Sequence, residues 1–181
     1  MQIIDNRGLL LKLRQPERIT SVIPKSKVIA DHGDYSEVLV NWGLEEAQVL
    51  KNLKLRDVPS PILAKYQWTG LHKPFDHQKD TASFLTLHRR AFCFNEQGTG
   101  KTASVIWAAD YLMKLGLVKR VLVICPLSIM DSAWRADLFT FAIHRTVDVA
   151  HGSREKRKKI IASDAEFVVI NFDGVEIVAN D

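Results

Sequence analysis

A glycine-containing run near the middle of the chain has the residue types of a phosphate-binding loop. It reads Gly98-Thr99-Gly100-Lys101-Thr102. Glycines let several backbone N–H groups turn towards one anion, and a following helix adds the positive end of its dipole. In such a loop Lys101 reaches the β- and γ-phosphates and the Thr102 hydroxyl binds Mg²⁺. The run therefore predicts a site for a nucleoside triphosphate and Mg²⁺, although Asn95 stands where the strict motif has its first glycine. The alternative is a glycine-rich turn with an incidental lysine.

A glutamine upstream has the chemistry to select the base of that nucleotide. An amide can accept a hydrogen bond from N6 of adenine and donate one to N7. Gln78 lies 23 residues before Lys101, one predicted helix and one predicted strand upstream of the loop. Phe75 and Trp68 are candidates for stacking on the adenine ring. The plainer alternatives are a solvated glutamine and aromatic rings that only pack in the interior.

The elements that must position these residues alternate in type. We predict helices at 76–88, 101–115, 129–141 and 153–161, and strands at 91–94, 121–125, 147–150 and 167–172. Gly116 is expected to end the second of these helices and Ser153 to cap the fourth. Helices alternating with apolar strands predict an open α/β fold with a parallel sheet.

The N-terminal third has a different pattern. Segments 26–31 and 36–42 predict a hairpin around Gly33, with one short helix before it, between Pro16 and Pro24, and a helix at 44–53 after it. We therefore divide the chain into a small α+β module at 1–57, a connector at 58–75 and an ATP-binding lobe at 76–181.

Composition limits the classes of function. The 181 residues carry a net charge of +4, which permits a polyanionic partner without demanding one. The start of the chain lacks the order of a secretory signal, and no apolar run reaches the ~20 residues of a membrane span. A cytoplasmic protein without a membrane partner, or a nuclear one in a eukaryote, is expected. The histidines lack metal-ligand spacing, and the basic run 154–159 is interpreted as a solvated helix face.

Three segments occur in an order that matches a known family. They are PFDHQKDTASFL, FNEQGTGKTASVIWAADYL and VLVICPLSIMDSAWRADL. Together they resemble successive motifs of helicase superfamily two, most closely its Swi/Snf branch of double-stranded DNA translocases. The resemblance covers roughly residues 70–175, and that branch does not keep glycine at the position of Asn95.

The resemblance implies a RecA-like P-loop fold, of which this chain holds an incomplete first lobe. It implies that Gln78 recognises adenine and that Gly98, Gly100, Lys101 and Thr102 bind Mg-ATP. It further implies that the residues after one strand face double-stranded or branched DNA, namely Pro126, Leu127 and Ser128. Asn171 stands near a position where the family often has a threonine, which puts a DNA contact there in doubt.

ATP hydrolysis also needs an acidic residue that organises Mg²⁺ and water. Asp173 is the one candidate in reach, but no glutamate follows it. The resemblance places the catalytic Asp-Glu box beyond Asp181 and arginine fingers on a second RecA-like lobe. We therefore expect the N-terminal portion of a DNA-dependent ATPase of the helicase type, not competent for hydrolysis by itself.

Other interpretations stay open at this point. Residues 1–57 resemble the HARP-type substrate-recognition domain of annealing helicases, or they are an extension that packs on the lobe. The chain could also be a non-catalytic nucleotide- or DNA-binding module with a truncated P-loop fold, or a different P-loop NTPase. The oligomeric state is left open.

Overall fold

The computed structural model describes residues 1–179. The chain forms two compact units, Met1–Tyr66 with Ser83–Ala91, and Gln67–Ala82 with Phe92–Asp181. Within the described residues, no helix combines the length and the apolar character that crossing a membrane requires.

The first unit is built on a four-stranded antiparallel sheet with strand order β1-β2-β4-β3. The strands are β1 (Gln2–Ile4), β2 (Gly8–Leu13), β3 (Lys27–Asp31) and β4 (Ser36–Asn41). The helices are α1 (Glu17–Thr20), α2 (Leu44–Asn52) and α3 (Ile62–Lys65).

Both hairpins of this sheet turn at residues that tolerate a positive φ. The predicted hairpin β3–β4 is confirmed, with Gly33 at φ 81°. The hairpin β1–β2 was not predicted. Asp5 and Asn6 adopt φ values of 48° and 53° in its turn, a conformation that these two residue types tolerate. An Asp-Asn pair between two apolar runs is the sequence signal that could have revealed it.

The sheet has one buried and one more open face. Leu9 pairs with Val40 and Leu11 with Val38, and all four side chains are buried. The alternate pairs are more exposed: Leu10 lies opposite Leu39, and Lys12 opposite Glu37. This period of two is what burial of a single sheet face requires.

The second unit contains a three-stranded parallel sheet with strand order β5-β7-β6. The strands are β5 (Val121–Cys125), β6 (Val147–Ala150) and β7 (Phe167–Asn171). The helices are α4 (Asp76–Leu87), whose last residues belong to the first unit, α5 (Lys101–Lys114), α6 (Ala136–Phe141), α7 (Arg154–Ile161) and α8 (Phe172–Ala179).

Apolar clusters lie on both faces of this parallel sheet, although Leu122 and Ile124 of β5 remain exposed. One cluster joins α5 and α6 to the sheet through residues such as Ile106, Leu138 and Phe167. A second joins α7 and α8 to the opposite face, around Val168 and Ile170. Helices on both faces explain why β7 is buried along its whole length. The mixed α/β fold with a separate antiparallel module is as predicted, and it is consistent with a partial RecA-like lobe.

The structure corrects the prediction of a strand at 91–94. These residues form no strand, and within the described residues the parallel sheet has three strands instead of the four expected. Phe92 and Phe94 are 81% and 89% exposed and stack on each other. An apolar run becomes a strand only when a neighbouring strand takes up its backbone hydrogen bonds.

Two smaller expectations also change. The predicted helix 129–141 consists of a 3₁₀ turn (Leu127–Ile129), a π-helical segment (Met130–Arg135) and α6. The basic run in α7 is solvated except at Arg157, which is buried. Its guanidinium donates hydrogen bonds to the carbonyl oxygens of Ala150 and Gly152 and to Oδ1 of Asn171. Ser153 caps this helix, as predicted.

Candidate functional site

The glycine run forms a tight turn directly before a long helix. Gly98 and Gly100 have φ values of 75° and 73°, in the left-handed region that glycine adopts without strain. Gly100 is the N-cap of α5, a helix of 14 residues, and no side chain caps this end. The first-turn N–H groups, together with the helix dipole, therefore present partial positive charge at the loop.

Lys101 lies over the loop from which it extends. Its ammonium donates hydrogen bonds to the carbonyl oxygens of Asn95 and Glu96, at 2.9 and 2.7 Å. Thr99 Oγ1 donates to the Glu96 carbonyl at 2.8 Å and tightens the same turn. The cationic group and the N-terminus of α5 thus belong to one small turn, and Thr102 stands in the first turn of the helix, partly exposed.

Gln78 contacts the phosphate loop across 21 residues of sequence. Its Nε2 donates to the carbonyl oxygen of Thr99 at 3.2 Å, and its Oε1 accepts from the backbone N–H of Phe75 at 3.0 Å. A Cβ at Gly100 would overlap the Gln78 amide nitrogen. The structure therefore places the side chain predicted to read the base directly beside the loop predicted to hold the phosphates.

The two aromatic residues proposed for stacking lie in different surroundings. Phe75 is 68% exposed and stacks on His77, with ring centroids 5.7 Å apart and planes 9° from parallel. His77 Nε2 lies 3.1 Å from the Thr99 carbonyl oxygen. Trp68 instead makes an edge-to-face contact with the buried Trp107. Phe75 is therefore near Gln78 and the loop, and His77 joins them without having been predicted from the sequence.

Asn95 ties the start of the loop to α4. Its Nδ2 donates to Thr81 Oγ1 at 2.8 Å, and its Oδ1 accepts a hydrogen bond from Cys93 Sγ at 3.3 Å. Thr81 in turn donates to the His77 carbonyl. A glycine at position 95 could make neither side-chain contact, so the departure from the strict motif has a structural role. The sequence shows no signal for the contact with Thr81, because that partner is 14 residues away.

The carboxyl ends of the parallel strands form a second candidate surface. Cys125 pairs with Asn171 at this edge, and the exposed residues Pro126, Leu127 and Ser128 follow Cys125 directly. Ligands of open α/β sheets bind at this edge. Burial raises the pKa of the Cys125 thiol, which stays neutral at physiological pH.

The acidic candidate Asp173 lies just after the carboxyl end of β7. It lies in the first turn of α8, and its Oδ2 accepts a hydrogen bond from Asn171 Nδ2 at 3.4 Å. No group of three or more potential metal-ligating side chains occurs among residues 1–179. The glycine loop and Asp173 therefore belong to different elements, the turn before α5 and the first turn of α8.

Comparison with solved structures gives several matches, one of which is an ATPase core. The chain resembles the SWI2/SNF2 ATPase core of Sulfolobus solfataricus, solved in complex with dsDNA. The sequences are 26% identical, the TM-score is 0.51, and the match covers 59% of this chain and 23% of that chain. No protein-family model matches the chain, and no curated protein matches it. The likeness supports a helicase-like ATPase fold, and this chain spans less than a quarter of the matched structure.

Proposed function

We propose that this chain is the N-terminal portion of an ATP-dependent motor on double-stranded or branched DNA, a translocase or helicase-like ATPase. Its loop at 98–102 binds Mg-ATP, and Gln78 selects adenine. The observation that carries the proposal is the hydrogen bond between Gln78 and the Thr99 carbonyl. This contact joins an amide suited to adenine to a loop suited to phosphates. A glycine-rich turn with an incidental lysine would not require such a contact.

The residues at the loop fit a nucleotide. Gly98 has no atom within 4 Å of the position where a Cβ would stand, so a phosphate can approach its backbone closely. The uncapped N-terminus of α5 supplies N–H donors. Lys101 can exchange its two carbonyl partners for phosphate oxygens, which form stronger charge-assisted hydrogen bonds. The Thr102 hydroxyl is the ligand offered to Mg²⁺.

Each side chain then has a distinct task. Lys101 neutralises phosphate charge, Gln78 donates to and accepts from the adenine edge, and Phe75 offers an exposed ring for stacking. Bound ATP would supply the free energy of phosphoryl transfer to the motor. The described residues bind and orient the nucleotide, and hydrolysis is assigned to an Asp-Glu box and a second RecA-like lobe of the full-length protein.

The DNA part of the proposal has separate support. The structural neighbour is a SWI2/SNF2 ATPase core bound to dsDNA. In this chain Pro126, Leu127 and Ser128 are exposed at the carboxyl edge of the sheet. Backbone N–H groups and the Ser128 hydroxyl are suitable donors to DNA phosphates, which position a duplex without reading its sequence.

Calorimetric titration with Mg-ATP and Mg-GTP tests the nucleotide site. We expect Lys101→Ala to weaken Mg-ATP binding by about 10- to 150-fold, since it removes charge-assisted hydrogen bonds worth about 1.5–3 kcal/mol. The matched control is Lys119→Ala, an exposed lysine in the turn after α5. Gln78→Ala should abolish the preference for ATP over GTP. Gln97→Ala, which removes an exposed amide directly before the loop, should preserve it.

Equal binding by the Lys101→Ala and Lys119→Ala variants would contradict the nucleotide site. Duplex binding without any Mg-ATP binding would favour a non-catalytic DNA-binding module instead. Equal affinity for ATP and GTP in the unmodified chain would favour another kind of P-loop NTPase. We further expect the 181-residue chain to show no DNA-stimulated ATP turnover.

A further inference from the structure

The positive charge of this protein is concentrated in one of its two units. The first unit holds 12 of the 25 lysines and arginines but only 8 of the 21 aspartates and glutamates. The second unit holds 13 of each. The entire net charge of +4 therefore resides in the unit that lacks the phosphate loop. Such an excess is an electrostatic footprint for a polyanion.

Three of these cations surround one concavity of the antiparallel sheet. Arg7, Lys25 and Lys27 line a hollow of about 390 Å³, which we call the basic hollow. Asp5 is the one carboxylate among its lining residues, so the local charge is positive. Leu39 and Asn41 contribute to the wall between the cations.

Local structure brings the cations together from two distant segments. Arg7 closes the β1–β2 turn, where its N–H donates to the Ile4 carbonyl at 3.0 Å. A turn fixed by hydrogen bonds from the Ser26 N–H and hydroxyl to the Ile23 carbonyl places Lys25 beside Lys27, the first residue of β3. Lys27 pairs with Leu39, which also lines the hollow.

The three cations have no side-chain partner among the residues that the structure describes. Among residues 1–179, Arg7, Lys25 and Lys27 form no ion pair and donate no side-chain hydrogen bond, and all three are exposed. Lys12 on the same sheet differs, since its ammonium lies 3.7 Å from Glu37 Oε1. Three unpaired like charges around one concavity repel each other in the free protein, and an anionic ligand relieves that repulsion.

We propose that the basic hollow binds the phosphodiester backbone of duplex DNA. Exposed cations spread around an open hollow suit a chain of phosphates, because neutralising several phosphates releases counterions from the duplex. The inference rests on the proposed function for the choice of DNA as the polyanion, and it adds a DNA contact outside the ATP-binding unit. The basic run in α7 is a weaker candidate, because Arg157 is buried and Glu155 interrupts the run.

Fluorescence anisotropy with a labelled mixed-sequence duplex, measured without nucleotide between 50 and 200 mM salt, tests this site. The variant is Arg7→Ala/Lys25→Ala/Lys27→Ala in the full 181-residue chain. The matched control, Lys119→Ala/Lys156→Ala/Lys159→Ala, removes three exposed cations of the other unit. If each cation neutralises one phosphate, the slope of log affinity against log salt concentration is smaller in magnitude by about 2.7 in the variant. Its affinity then changes about 40-fold less over that salt range than the affinity of the unmodified chain.

Further measurements distinguish a contact with DNA from the alternative explanations. Lys25→Arg/Lys27→Arg keeps the charge and should bind like the unmodified chain, which supports an electrostatic contact. Excess inorganic phosphate at constant ionic strength should not displace the duplex, and full displacement would overturn the DNA assignment in favour of a small-anion site. Equal slopes for the two triple variants would overturn the proposal. Repeating the titration with the Lys101→Ala variant separates duplex binding from the ATP site. This variant should bind the duplex like the unmodified chain, even if the proposed nucleotide site proves wrong.

Discussion

Replacing Gly100 by alanine perturbs the contact on which the nucleotide site depends. Gly100 has a φ of 73°, and a Cβ there would overlap the amide nitrogen of Gln78. The left-handed backbone costs a non-glycine residue about 1–2 kcal/mol. Displacing Gln78 breaks its two hydrogen bonds, each worth about 0.5–1.5 kcal/mol net. The free energy of unfolding should therefore fall by about 2–5 kcal/mol.

Gly98→Ala is the matched control for this experiment. Gly98 has nearly the same φ, 75°, but no atom lies within 4 Å of its Cβ position. We expect this variant to lose only the backbone contribution of about 1–2 kcal/mol. Urea unfolding measures both losses, and calorimetry with Mg-ATP and Mg-GTP measures base selectivity. Selectivity should fall in Gly100→Ala and persist in Gly98→Ala.

A double-mutant cycle with Gln78→Ala decides whether the overlap is the cause. Without the Gln78 side chain, Gly100→Ala should cost no more than Gly98→Ala, because the atom that the Cβ would meet is gone. If Gly100→Ala costs as much in the Gln78→Ala background as in the unmodified chain, the two residues are independent. The reasoning that links the base-reading amide to the loop is then refuted.

Three further predictions concern the second unit. Asp110 is fully buried and its Oδ1 lies 2.6 Å from Nε of Arg145, so Asp110→Asn should cost about 3–5 kcal/mol in urea unfolding. Burial raises the pKa of Glu166, but the Thr146 N–H and Arg145 outweigh it and hold that pKa below its ordinary value of 4.5. Glu166 therefore stabilises the fold above about pH 4.5, and this contribution is lost as the pH falls through its folded pKa. The Glu166→Gln variant should not show this loss when the free energy of unfolding is measured against pH. Arg157→Lys should lower the midpoint of thermal unfolding almost as much as Arg157→Ala, because one ammonium cannot reproduce the forked hydrogen bonds of a guanidinium.

The sequence alone determined the elements whose signals are local. The helix after the phosphate loop ends before Gly116, and α7 begins after Ser153, because capping depends on residues within one turn. The strands β5, β6 and β7 follow from short apolar runs between helical segments. The positive φ of Gly98 and Gly100 follows from the motif, since a phosphate loop needs glycine where its backbone turns.

Only the tertiary structure decided which distant groups meet. The apolar run 91–94 had the composition of a strand but found no pairing partner among the described residues, and propensity cannot supply one. The sequence predicted Arg157 to be part of a solvated face, yet its guanidinium is buried and donates hydrogen bonds to three oxygen atoms. Gln78 meets Thr99 and Asn95 meets Thr81 because packing brings α4 against the loop. Sequence patterns record local periodicity, whereas contacts over 14 to 21 residues arise from the energetics of the whole fold.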